Sequence, residues 1–120
     1  MRIGPVGISD IFPTTVDMSA SINGHAIDVS SAYVYALILK WTGSPIGNLF
    51  LQVSNYVAVA NEVPPDSSFT TDTGSLVGVT GAAEQFFNVN TLGYRWVRIV
   101  YQRTSGSGTF TLAQFNSKGV

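Results

Sequence analysis

Two alternating segments late in the chain limit the fold more than anything else in the sequence. Tyr94 to Arg103 places Val97, Ile99 and Tyr101 on one side of an extended strand and Trp96, Arg98, Val100 and Gln102 on the other, because successive strand side chains point to opposite faces. Thr104-Ser105-Gly106-Ser107-Gly108 follows, and then a second extended segment, Thr109 to Leu112. The two glycines accept positive φ without steric cost, so the pattern predicts a closing β-hairpin with a longer loop. One face of that hairpin is core, and the other is at least partly wet.

Similar patterns run upstream. Thr14 to Ile22 reads as a strand, Asn23-Gly24 as a type I′ hairpin turn, and His25 to Val29 as the return. Tyr33 to Trp41 is apolar on both faces and rich in β-forming residues, which predicts a central strand covered on both sides. A buried helix is its rival, and the bounding turn signals favour the strand. Thr42 to Gly47 is a Gly/Pro loop, and Asn48 to Ser54 puts Leu49, Leu51 and Val53 on one face with Phe50 and Gln52 on the other. Tyr56 to Ala60 extends this as a short strand. Asn61 to Gly81 is a long polar tract with Pro64-Pro65, either a functional loop or a run of short edge strands. Glu84 to Val89 then leads into the closing pair. Helical periodicity, heptads and internal repeats are missing. Short strands separated by turn signals predict an all-β fold, a single antiparallel β-sandwich of jelly-roll type over residues 14–120, preceded by an extended N-terminal arm over residues 1–13.

The arm combines Gly4, Pro5, Gly7 and Pro13 with the apolar residues Ile3, Val6, Ile8, Ile11 and Phe12. Those side chains need something to lie on, either this domain or a neighbouring protein. Composition bears on the choice. With 120 residues the chain holds one core, and 45% of its residues are hydrophobic, but only 11% are charged, against roughly a quarter in ordinary domains. Few surface charges leave little protection against association, so the deficit fits a surface covered by copies or partners, or else a naturally neutral β-domain.

Net charge is −1, and Arg95 and Arg103 share one strand face while Arg98 lies on the other. No basic stripe tracks successive phosphates, which argues against nucleic-acid binding. There is no cysteine, no signal-peptide pattern at the start, and no apolar run longer than Ala32 to Leu39, so neither a disulfide framework nor a membrane span is expected. His25 is the only histidine, and a zinc site built on carboxylates alone would be unusual. The acids Asp10, Asp17, Asp28, Glu62, Asp66, Asp72 and Glu84 are scattered. Asp66 and Asp72 could hold calcium but read more simply as loop-solvating groups. Gly74, Gly78 and Gly81 precede neither a Lys-Ser/Thr pair nor a helix, so no phosphate cradle is present. The expectation is a protein with no catalytic set, no cofactor and no metal. Trp41 and Trp96 suit the core, and Tyr56 is the aromatic placed for stacking on a sugar.

Two segments carry a resemblance. Gly47-Asn48-Leu49-Phe50-Leu51-Gln52-Val53-Ser54-Asn55, followed after a polar tract by Gly93-Tyr94-Arg95-Trp96-Val97-Arg98-Ile99-Val100-Tyr101 and Thr104 to Thr109, resembles small jelly-roll virion proteins of tailed bacteriophages over roughly residues 47–116. Galactose-binding-like sandwiches share part of the pattern, but carry an aspartate-glycine and a tryptophan after the serine-asparagine, where this chain has Tyr56-Val57-Ala58. The resemblance implies a non-enzymatic virion component made in the host cytoplasm, above all a capsid decoration or cement protein that is homo-oligomeric and contacts the major capsid protein or other virion proteins. The expected contacts are Ile3, Val6, Ile8, Ile11 and Phe12 in the arm and Asp66, Phe69 and Asp72 in the long tract. The alternative is a carbohydrate-binding module of a tail or surface adhesin using Tyr56.

Overall fold

The structure is a computed structural model that describes residues 11–12, 17–29, 32–59, 62–89 and 94–119. The described residues form eight strands: β1 (Ile22–Asn23), β2 (Ile27–Asp28), β3 (Ala32–Gly43), β4 (Ile46–Ser54), β5 (Thr70–Thr80), β6 (Ala83–Val89), β7 (Trp96–Ser105) and β8 (Gly108–Gly119), with a 3₁₀ turn at Asp66–Ser68. Every strand pairing is antiparallel. One sheet runs β1-β7-β4-β5, with β2 also on β7; the other runs β6-β3-β8. Among the described residues no helix is long and apolar enough to cross a membrane.

The two sheets share one core, an arrangement compatible with a β-sandwich. Leu49 and Leu51 of β4, Val97, Ile99 and Tyr101 of β7, and Val79 of β5 meet Tyr35, Leu37, Leu39 and Trp41 of β3 and Phe110, Ala113 and Phe115 of β8. Tyr101 packs edge-on against Phe110 across the two sheets, with ring centroids 6.1 Å apart. Burying side chains of this size contributes roughly 1.5–3 kcal/mol each. Both indoles are satisfied, Trp41 Nε1 donating to Gly81 O and Trp96 Nε1 to Tyr56 O.

The long segments fall close to where alternation puts them, but their partners differ from expectation. β7 and β8 do not form a hairpin: β7 lies in one sheet and β8 in the other, joined by Gly106-Ser107. Gly106 has φ +73°, and a Cβ there would collide with Ser44 O, so this turn must be glycine. The connection from β3 to β4 also crosses between sheets, through Ser44-Pro45. Asn23-Gly24 makes no type I′ turn either. β1 and β2 both pair with β7, and Gly24 is needed for close approach instead, since a Cβ would sit 2.7 Å from Ile99 O. Within Thr14 to Ile22 the described strand contacts are Ile22 in β1 and a single bridge from Asp17 to Thr109. Tyr56 to Val59 forms no strand, while the polar tract yields the 3₁₀ turn and then one long edge strand, β5.

Two irregularities adjust which faces are buried. Lys40 pairs with Leu112 but Trp41 with Phe110, so Thr111 is an extra residue in β8. A one-residue insertion flips the alternation, which lets Phe110 face the core while Leu112 turns outward. Along β4, Leu49 pairs with Val77 and Leu51 with Asp72, so Thr73 to Leu76 loop out of β5. That loop is tied by Leu51 N donating to Ser75 Oγ and Gly74 N donating to Asp72 Oδ1.

Candidate functional site

The N-terminal contact residues divide. Ile3, Val6 and Ile8 lie outside the described residues. Ile11 and Phe12 do not form a free contact surface: both are fully buried in the protein's own core, Phe12 stacked on Phe110 with centroids 4.5 Å apart. Ile11 O accepts a hydrogen bond from His25 N, which fixes the segment against the β1–β2 connection.

The outer face of the β1-β7-β4-β5 sheet is covered around Arg98, Phe50 and Val100, while Gln102 at its far end is exposed. Arg98, on that face of β7, keeps only 9% of its side chain exposed. Its Nε donates to Gln52 Oε1 at 2.8 Å on the neighbouring strand, its Nη1 donates to Asp66 Oδ1 at 2.6 Å, and its guanidinium lies 4.2 Å from the centroid of the Phe69 ring. A buried charge without such partners would be strongly destabilising. Asp66 and Phe69, expected as external contacts, are thus engaged in clamping their own tract onto the sheet. Ser54 Oγ donating to Ser68 Oγ, Gln52 Nε2 donating to Thr71 Oγ1 and the Trp96–Tyr56 bond hold the same segment. Further along this face Phe50 and Val100 sit opposite each other across β4 and β7, and both are buried.

Over the residues whose burial is described, the outer face of the β6-β3-β8 sheet is open. Ile38 is 39% exposed and Phe86, directly opposite it on β6, is 66% exposed. The prediction that β3 is covered on both sides is therefore corrected for the described part of the strand. With Leu112 and Gln114 they line a shallow depression of roughly 340 Å³. Lys40 and Glu84 rim it at an N–O distance of 3.5 Å, both largely in water, where such a pair contributes little.

A third feature is a polar groove of roughly 440 Å³ at one end of the β4–β5 pair, where Asn55, Thr70, Thr71, Asp72 and Thr73 face Tyr94. Tyr94 is 46% exposed. Tyr56, the aromatic expected to stack on sugars, lies outside this lining; its hydroxyl donates to Glu62 Oε2, which raises its pKa. Asp72 is exposed on the groove side, and its charge adds to the effect of burial on Tyr35, whose pKa is pushed up to about 12. Alternation on β5 could not reveal the groove, because the looped-out Thr73 to Leu76 interrupts it.

Among the described residues no three His, Asp or Glu side chains converge as a metal site. His25 is exposed beside β2, and its backbone rather than its ring makes the contact noted above. No protein-family model matches the chain, and no curated protein is similar to it in sequence.

Proposed function

We propose that the protein is a structural component of a tailed-phage particle, a decoration or cement protein that binds the outer surface of the capsid shell and performs no catalysis. The observation that carries the reading is the open outer face of the β6-β3-β8 sheet, where Ile38, Phe86 and Leu112 form an apolar floor between polar rims. An exposed apolar patch bounded by polar residues is the usual mark of a protein contact. The low charge of the chain supports it, because a surface meant to be covered does not need charges for solubility. Strand order supports the jelly-roll form of the reading. β3 pairs with β8 and β4 with β7, nested pairs of the kind made when one long double strand rolls up on itself.

Many copies on a lattice make weak individual contacts effectively multivalent, so a modest face is enough for such a role. The test is cosedimentation of the purified protein with capsids that lack it, comparing the native chain with Ile38→Asp and Leu112→Asp. Ile38 is exposed and Leu112 partly so, and the substitutions are expected to leave the fold intact while removing particle binding. Undiminished binding by both variants would reject this face as the contact.

A second reading, a glycan-binding module, has one observation in its favour: the polar groove offers a carboxylate, hydroxyls and a half-exposed tyrosine, the groups that recognise sugar hydroxyls and ring faces. Monosaccharide titration followed by NMR, with shifts at Tyr94 and Asp72 and a loss of capsid cosedimentation, would replace the first reading with this one.

A further inference from the structure

Unpaired sheet edges recruit other strands unless something blocks them, and proteins block them with short strands, bulges, prolines, charges or covers. Among the described residues the β1/β2 edge consists of two separate two-residue strands. The β5 edge is interrupted by the loop at Thr73 to Leu76. One end of β8 is covered, since Met18 N donates to Gly108 O and Asp17 bridges to Thr109. Among the described residues β6 has none of these devices. Its seven residues, Ala-Glu-Gln-Phe-Phe-Asn-Val, stay in unbroken register with β3 from Tyr35–Val89 to Trp41–Ala83, contain no proline, lysine or arginine, and carry one charge.

We propose that β6 is a self-association edge, pairing antiparallel with β6 of a second copy about a two-fold axis at Phe86. Register and charge argue for a second copy. Phe86 is the middle residue of β6, so an axis there engages the whole strand. It sets Phe86 opposite Phe86 of the partner subunit, Gln85 opposite Phe87 of the partner subunit, and Glu84 opposite Asn88 of the partner subunit. No like charges meet. Moving the axis to Glu84 would place two carboxylates face to face, which is destabilising for directly opposed residues, and would shorten the ladder. A two-fold axis makes the contact isologous and closed, so it ends at a dimer instead of a fibre.

The product is one continuous six-stranded sheet, β8-β3-β6 joined to its symmetric counterpart. Each Phe86 is flanked by Ile38 of its own copy, so the exposed rings meet in an apolar strip across the seam. Main-chain hydrogen bonds supply affinity, as in other strand-addition complexes. This inference goes beyond the virion reading and does not depend on it: it concerns the free protein, and it leaves Lys40, Leu112 and Gln114 of each outer face open for another partner.

The experiment uses the full chain. Sedimentation equilibrium from about 1 to 100 μM is expected to show a monomer–dimer equilibrium, and Phe86→Lys, which opposes two ammonium groups at the axis, is expected to weaken the dimer at least about tenfold. Circular dichroism of that variant is expected to match the native chain, because the side chain is mostly in water. The chain has no cysteine, so Phe86→Cys tests the register directly. Mild oxidation is expected to give a disulfide-linked dimer, and the Gln114→Cys control on β8 is expected to give none. A monomer throughout the concentration range, a dimer unaffected by Phe86→Lys, or equal crosslinking of the Gln114→Cys control would each overturn the proposal.

Discussion

The two sheets present outer faces of opposite character, although their strands alternate in the same way. On the β1-β7-β4-β5 sheet the outward residues Phe50, Arg98 and Val100 are buried, and the tract between β4 and β5 is fastened over Gln52 and Arg98. On the β6-β3-β8 sheet the outward residues Ile38 and Phe86 are open to water. Periodicity alone therefore does not decide which face of a strand is dry. The connecting segments decide it. The 15 residues between Ser54 and Thr70 are long enough to fold back over a face, whereas the connections flanking β3 and β8 at Ser44-Pro45 and Gly106-Ser107 are two residues each and only turn the corner between sheets.

This contrast can be broken most sharply by matched truncations. Phe50→Ala on the covered face is expected to cost about 3–4 kcal/mol in urea unfolding, whereas Phe86→Ala, measured dilute enough to keep the chain monomeric, is expected to change stability by less than about 0.5 kcal/mol. Equal losses would mean that the two faces are buried alike. Next in size is Arg98→Ala, expected to cost about 2–3 kcal/mol because hydrogen bonds to Gln52 and Asp66 are lost together with the packing on Phe69. Arg98→Lys recovers only part of that, since an ammonium lacks the planar fork that serves both partners while lying on the ring.

A pH titration probes the space between the sheets. The Tyr35 phenol ionises at about 12 in the folded chain, against about 10 when unfolded. The unfolded chain sheds this proton first, so the Tyr35 contribution is fully present below pH 10 and is lost as pH rises through 12, on the order of 2 kcal/mol at the end of that window. Denaturant midpoints between pH 9 and 12 are expected to fall less steeply in Tyr35→Phe than in the native chain. The smallest effect belongs to the open face. Glu84→Gln removes a solvent-exposed partner of Lys40 and is expected to shift stability by less than about 0.5 kcal/mol, with little dependence on salt.

How much of this was legible depended on the range of the interaction. The inward sets Leu49, Leu51 and Val53 on β4 and Val97, Ile99 and Tyr101 on β7 follow from local alternation, and they occupy the core or its margin as read. The choice of partner does not. Glycines near a chain reversal permit a turn, but they do not say whether the strands stay in one sheet, and here Gly106 serves a corner between two. Thr111 as an extra residue leaves no mark on composition, yet it sends Leu112 outward and Phe110 inward. The Arg98 clamp joins residues 32 and 46 positions apart, beyond any local pattern. The open sheet face was hidden for the same reason, since Ile38 within an apolar run looks like a residue that something must cover.

The nesting of β3 with β8 and β4 with β7 also fixes when the protein can fold during its synthesis. β3 is the middle strand of its sheet, and one of its two neighbours, β8, comes after all the other described strands in the sequence. A nascent chain carrying β1 to β6 could pair β4 with β5 and β3 with β6, but its core would still lack Tyr101, Phe110 and Phe115. Such distant pairings close slowly and leave apolar surface open in the meantime. Until β8 has emerged, the inward side of β3 lacks the aromatic residues that close over it.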